Sequence, residues 1–309
     1  MEEKNNRPIF LLLLFVSMLW GANVVMIKYL TQYYPPLALA PIRLTLATFL
    51  LVPFVWYKHG LQIPPRQTWL PITGVAAFTI FLHQITLNLG AAATSGTHAV
   101  LILGLNPLLT TVLASFLVKE PFSWGKGLGI ILGFGGVMLV VYGKTETSTL
   151  YGDGIMVGAM VTFVIGSLFV KKSTALLSPL LVTVYSHILA STGLVIVGLV
   201  ANTTWFYEGA FDFWPLSLVL FSSFVCTALG AVWWNTGIQR VGASTTSVFQ
   251  NGIPIFGVFA AALFLGENIN WHHVVALALV LAGVSLATGV CRLTCLTAGS
   301  RPQPVKEEE

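Results

Sequence analysis

Charge is what this sequence has least of: only 8% of its 309 residues are Asp, Glu, Lys or Arg, against roughly a quarter in an ordinary soluble domain. With 56% hydrophobic residues, the chain cannot cover the surfaces of the two soluble domains that its length alone would favour. Lipid must be its main solvent. Cysteine is scarce too, and Cys226, Cys291 and Cys295 offer neither a disulfide framework nor a metal-ligand spacing. No Walker phosphate loop is written, and the one adjacent histidine pair, His272 and His273, stands alone at a predicted helix start. Those absences argue against ATP use by this chain and against an intramembrane enzyme. No cofactor and no metal is expected.

What the chain does have is apolar length. Runs of about 20 apolar residues can cross a hydrocarbon core, and ten are present: 9–30, 36–57, 69–89, 95–118, 124–142, 152–171, 180–200, 215–238, 243–265 and 272–290. The first is too long for a signal-peptide core and ends without an A-x-A cleavage pattern. Turn chemistry separates several runs, as in "YYPP" from Tyr33 and "LLSP" from Leu176. The predicted fold is all-α and integral to the membrane. Lysine and arginine collect in loops that stay cytoplasmic. With the N-terminus inside, Lys4, Arg7, Lys58, Arg66, Lys119, Lys126, Lys171, Lys172, Arg240, Arg292, Arg301 and Lys306 all fall on that side, leaving only Lys28 and Lys144 outside and Arg43 within a span. Both termini, including the tail 291–309, are therefore expected in the cytoplasm.

The chain also repeats itself. Sliding it by 147 residues pairs Asn88 with Asn235, Pro107 with Pro254, Glu120 with Glu267, Trp124 with Trp271 and Gly136 with Gly283. These uncommon residue types keep one register. Each half, 9–142 and 152–290, holds five spans, so the second enters the membrane from the opposite face. Inverted halves of this kind are typical of secondary transporters, where rocking about the repeat interface exposes a midplane site to each side in turn.

The motifs "WGAN" (Trp20 to Asn23) and "APIRLTLA" (Ala40 to Ala47), with the blocks "GLNPLLTTVLASFLVKEPFSWGKGLGIILGFGGVMLV" and "NGIPIFGVFAAALFLGENINWHHVVALALVLAGVSLA", resemble the EamA family of the drug/metabolite transporter superfamily. The resemblance covers Ile9 to Val290. It implies ten helices in two inverted five-helix repeats around a central cavity, and export of small metabolites such as amino acids. A bacterial plasma (inner) membrane is the expected location. The expected partners are a small-molecule substrate and the lipid bilayer, not nucleic acid, with the chain a monomer or a homodimer.

Polar side chains within spans need a partner or a purpose. Arg43 is read either as a tie between helix ends or as the holder of an anionic group such as a substrate carboxylate. His83, Gln84 and Asn88 in the third span, matched by Trp234 and Asn235 in the eighth, supply aromatic walls and a few polar groups, as a small-ligand pocket requires; interhelical polar contacts are the plainer alternative. Asn23, Tyr185 and the stripe Gln250 and Asn251 complete the candidate substrate-binding set. His187 is two residues from Tyr185 and points elsewhere, so at most one of them serves a pocket. Pro107 and Pro254 each remove a backbone donor and predict a kink or an opened turn. Glu120 and Glu267 are expected to accept from the N–H groups of the helix that follows each of them, with Trp124 and Trp271 at headgroup level. GxxxG-type steps predict that the fifth and tenth helices pack together. With no carboxylate deep in a span, proton coupling would fall to His83, His98 or His187, and facilitated diffusion or exchange is the slightly preferred route. A nucleotide-sugar or phosphorylated-sugar exchanger is the alternative within transport, although it would want more than one buried cation for phosphate. A membrane receptor or scaffold is the alternative of another class.

Overall fold

A computed structural model describes residues 7–60, 63–118, 124–142, 148–202 and 204–288. In lipid each backbone N–H and C=O must find its partner within the protein, and helix is the local solution. Among the described residues all regular structure is helical. Helices α1 (Arg7–Leu30) and α2 (Pro36–His59) come first. The third membrane-length stretch is composite: α3 (Trp69–Gly74), a π-helical segment Val75–Leu82, then α4 (His83–Ala93). A break separates α5 (Gly96–Leu103) from α6 (Asn106–Val118). Next come α7 (Trp124–Tyr142), α8 (Leu150–Thr174) and α9 (Pro179–Val200). A second composite stretch joins α10 (Phe213–Phe221), π-helical Ser222–Leu229 and α11 (Gly230–Val241). Finally α12 (Ala243–Val248), a 3-10 turn Phe249–Asn251, α13 (Gly252–Leu265) and α14 (Trp271–Thr288) complete the bundle.

Eight of these stretches are long and apolar enough to cross a membrane, and Gly127–Leu139 and Trp271–Leu286 are shorter apolar helices. The irregularities keep the register of the sequence repeat. The two π segments are eight residues each, and the step from Val75 to Ser222 is the same 147 residues as the step from Pro107 to Pro254. Before each of those prolines the helix is interrupted, by the α5–α6 break in one case and the 3-10 turn in the other. The missing proline N–H explains why these turns tighten where they do.

Helix starts carry recognisable caps. Thr149 accepts from Gly152 N at 3.0 Å, and Ser178 caps α9 with Pro179 behind it, satisfying orphan donors of the first turn. The main helix pairs are α1 with α13, α2 with α9, α4 with α8, and α7 with α14. The last pair meets through glycine, as the GxxxG steps predict: a Cβ on Gly283 would lie 2.6 Å from the Gly129 carbonyl oxygen. Helix α5 is buried along its whole length. Large apolar side chains such as Phe49, Phe259 and Phe264 instead point outward, as they must where the solvent is hydrocarbon.

Candidate functional site

The two π segments face the middle of the bundle. A π turn leaves carbonyls without the usual helical donor, and here side chains take them up. Trp20 Nε1 donates to the Cys226 carbonyl at 3.0 Å and Thr227 Oγ1 to the Ser222 carbonyl at 2.9 Å. Around this irregular backbone lies a cavity of about 120 Å³, room for several waters but below the roughly 300 Å³ at which ordinary ligand pockets begin. Its walls are aromatic: Trp20 stands 4.9 Å from Trp234 and 6.0 Å from Phe163, which in turn stands 5.1 Å from His83, measured between ring centroids. Polar groups enter between the rings. His83 Nδ1 meets the Ala159 carbonyl at 2.9 Å and His187 Nδ1 meets the Thr183 carbonyl at 2.7 Å. A carbonyl only accepts, so each ring carries its proton on Nδ1. Asn235 Nδ2 donates to Thr183 Oγ1 at 2.8 Å.

Arg43 sits immediately behind this wall, 1% exposed. Its Nε donates to Ser222 Oγ at 2.7 Å, and its terminal nitrogens reach Thr227 Oγ1 at 3.0 Å, Gln84 Oε1 at 3.4 Å and Asn23 Oδ1 at 3.5 Å. Every one of these partners is neutral. Among the described residues no carboxylate lies within 4.0 Å of the guanidinium; the His98–Asp153 contact is elsewhere. Asn23, Gln84 and Thr227 also line the cavity, so a buried, uncompensated positive charge stands one side chain away from it.

The ten candidate residues separate into three groups. Asn23, His83, Gln84, Trp234 and Asn235 line the cavity and Arg43 backs it. Asn88, the repeat partner of Asn235, does not line it: the residue is fully buried and its Nδ2 turns back to the Gln84 carbonyl at 2.6 Å. Tyr185 packs edge-on against Trp69 at 5.8 Å, and His187 takes the cavity position instead. Gln250 and Asn251 lie in the 3-10 turn before α13, off the cavity wall. Trp20 and Phe163 were not among the candidates. The "WGAN" motif is a signal for Trp20; Phe163, in "VTFVIGS", has none.

The sequence profile of the EamA-like transporter family matches residues 7–142 and again 150–289. The chain belongs to the EamA-like transporter family. Relatives of this EamA-type transporter include YyaM of Bacillus subtilis (strain 168), named as an uncharacterized transporter, 31% identical with 92% of this chain and 95% of that one covered. An "Uncharacterized transporter" of Archaeoglobus fulgidus is 25% identical over 86% of this chain and 93% of its own. A Salmonella typhimurium protein named "Probable amino-acid metabolite efflux pump" is 24% identical over 88% and 92%. A crystal structure at 17% identity shares the fold, with a TM-score of 0.66 over 92% of this chain and 97% of that one. Family and relatives are transporters, not enzymes.

One expectation for this EamA-type transporter is corrected. Glu267 does not cap α14, the helix after it. Gly266, in the left-handed region at φ +64°, ends α13 and turns the chain, a conformation glycine adopts freely. The Glu267 carboxylate then accepts from Gly96 N at 2.7 Å, Thr97 N at 2.9 Å and Thr97 Oγ1 at 2.6 Å. It caps α5, 171 residues away in sequence. His273, on α14, takes the local job by accepting from Asn270 N at 3.1 Å. Glu120 lies outside the described residues. Trp124 and Trp271 are both largely exposed, at 91% and 72%. Beside α5 lies an ion pair the sequence did not single out, in which His98 Nδ1 is 3.1 Å from an oxygen of Asp153.

Proposed function

We propose that this protein is a secondary transporter that exports small metabolites bearing a carboxylate, amino acids or related compounds first, by alternating access about the central cavity. The observation that carries the substrate class is Arg43: a buried cation with only neutral partners creates a positive potential in a low-dielectric site, and an anionic group in the cavity would balance it. The aromatic walls suit the apolar part of such a molecule, and His83, Gln84 and Asn235 supply polar contacts that orient it. One buried cation favours a single carboxylate over the two or more negative charges of a nucleotide sugar. The name of the Salmonella relative points in the same direction.

The architecture proposed for this is ten spanning helices as two inverted five-helix halves, in a bacterial plasma membrane with both termini cytoplasmic. Its supports are the twofold match of the family profile, the π segments and helix breaks in one 147-residue register, and the lysine and arginine distribution. Broken helices at a repeat interface are where transporters of this general design bind their cargo.

Purified protein in liposomes, preloaded with unlabelled amino acids, is expected to accumulate the labelled compound by counterflow, with and without a pH gradient. His83→Ala and Trp234→Ala should lower that flux while membrane insertion stays normal. No flux of any small metabolite would overturn the transport reading. Unchanged flux in both variants would remove the cavity assignment.

A further inference from the structure

His98, Asp153 and His273 gather three buried ionisable side chains at the end of the bundle away from the N-terminus, and the central cavity uses none of them. His98, in the first turn of α5, is fully buried, Asp153 in the first turn of α8 is 3% exposed and His273 in α14 is 1% exposed. Both carboxylate oxygens of Asp153 lie near His98 Nδ1, at 3.1 and 3.2 Å, and Thr94 Oγ1 donates to one of them at 2.5 Å. A carboxylate accepts, so His98 carries a proton on Nδ1 in either charge state. Its Nε2 is buried with no partner and faces outward from the pair, and His273 Nε2 is likewise buried and unpartnered. The two rings stand 6.2 Å apart.

We propose that His98 and Asp153 form a proton-binding site whose occupancy holds this end of the bundle closed. With His98 neutral the buried pair carries a net charge of minus one. When a proton from water adds to His98 Nε2, the imidazolium and carboxylate together carry none, and no other bond changes. A buried net charge is costly and a neutralised, hydrogen-bonded pair much less so. The closed arrangement therefore suits the protonated, neutral pair, whereas an open, wetted end tolerates the charge of the unprotonated one, so proton occupancy and closure favour one another.

The surroundings suit this role. Among the described residues, the other ionisable groups facing α5 at this end are Glu267 after α13, Lys28 of α1, and His272 and His273 of α14; the adjoining parts of α4 (87–93) and α7 (134–141) contain no Asp, Glu, Lys, Arg or His. Glu267 and Lys28 are engaged, with the α5 N-terminus and the Ala92 carbonyl respectively. Helix α5 links the pair to the cavity. It is eight residues long, about 12 Å at 1.5 Å per residue, and Leu103 at its far end lines the cavity wall with Asn106. The pair is also one-sided. In the repeat register His98 matches Thr245, so the repeated architecture itself does not need a histidine there.

This inference rests on the proposal that the two ends of the bundle open in turn, but its test needs no substrate. Spin labels at the exposed positions Tyr151→Cys and Trp271→Cys, with Cys226, Cys291 and Cys295 replaced by serine, report the separation of α8 and α14 in lipid nanodiscs by pulsed electron resonance. Between about pH 5.5 and pH 8.5, the range in which histidine commonly switches, the wild-type pair should move from a shorter to a longer distance distribution. Asp153→Asn removes the buried charge and should stay short at every pH. His98→Gln keeps the carboxylate without the proton acceptor and should favour the longer distances at every pH. A wild-type distance that ignores pH, an Asp153→Asn protein that keeps the wild-type response, or two variants that both loosen alike would each overturn the proposal. Asp153→Asn is close to isosteric and decides the matter alone if His98→Gln does not fold. A lack of amino-acid flux in liposomes would leave this result standing, and failure here would leave the transport proposal standing.

Discussion

Replacing Arg43 by methionine separates a structural cation from a working one. Removing one member of a buried ion pair commonly costs about 3 to 5 kcal/mol, because the partner charge is left unpaired. Arg43 has no such partner. Each group it touches keeps another hydrogen bond: Ser222 Oγ donates to Asn23 Oδ1 at 2.5 Å, Thr227 Oγ1 donates to the Ser222 carbonyl, and Gln84 Oε1 still accepts from Asn88 Nδ2 at 3.4 Å. Nothing polar is orphaned, a desolvated charge disappears and an unbranched apolar side chain fills similar space. Stability should change by no more than about 1 kcal/mol, or rise. Binding should behave oppositely. Across one intervening side chain, roughly 7 Å, and at an effective dielectric constant of about 20, two unit charges attract by about 2 kcal/mol, which is about thirtyfold in affinity. The assay is thermal unfolding in detergent beside amino-acid counterflow in liposomes, with Arg43→Lys as the variant that retains the charge and part of the flux. A protein that unfolds several kcal/mol more easily, or one that transports carboxylates at the wild-type rate, would refute the reasoning.

Two further substitutions test the frame that holds the cavity. Glu267→Ala deprives the α5 N-terminus of three hydrogen bonds to one carboxylate, and a loss of about 2 kcal/mol is expected from capping and helix-dipole terms together, read as a lower unfolding temperature and faster amide exchange over 96–99. Gly283→Ala sets a methyl group 2.6 Å from both the Gly129 carbonyl oxygen and the Gly133 nitrogen. Backbone cannot step aside there, so α7 and α14 must separate, with about 1 to 3 kcal/mol lost; an unchanged unfolding temperature would mean that the close contact is not made.

The composite helical stretches 69–93 and 213–241 show how much of the fold a linear pattern carries. Their polar residues are visible as a register-matched set, yet Asn235 reaches the cavity while its counterpart Asn88 turns back onto its own helix. Both lie in helices of the same type, so the difference is one of helix rotation and of what α8 and α9 place beside them. Tyr185 and His187 pose the same problem on one helix: two residues apart, they point to different faces, and only the neighbours decide which face meets the cavity. Asp153 gives no signal in the sequence for a related reason. A lone carboxylate near a span end looks solvated until α4, α5 and α8 close around it.

Sequence by itself determined the lipid solvent, the all-helical class and the long apolar segments, and it carries the 147-residue register of its prolines and glycines. Those depend on transfer free energies summed along a segment and on proline and glycine acting within a turn or two, quantities each stretch of chain carries with it. Tertiary structure decided that Glu267 caps α5 rather than α14, that His187 and not Tyr185 lines the cavity, and that His98 meets Asp153. In a membrane there is little hydrophobic force to tell one apolar helix face from another, so packing shape and a few polar contacts set each helix's rotation, and these exist only once the partner helix is in place.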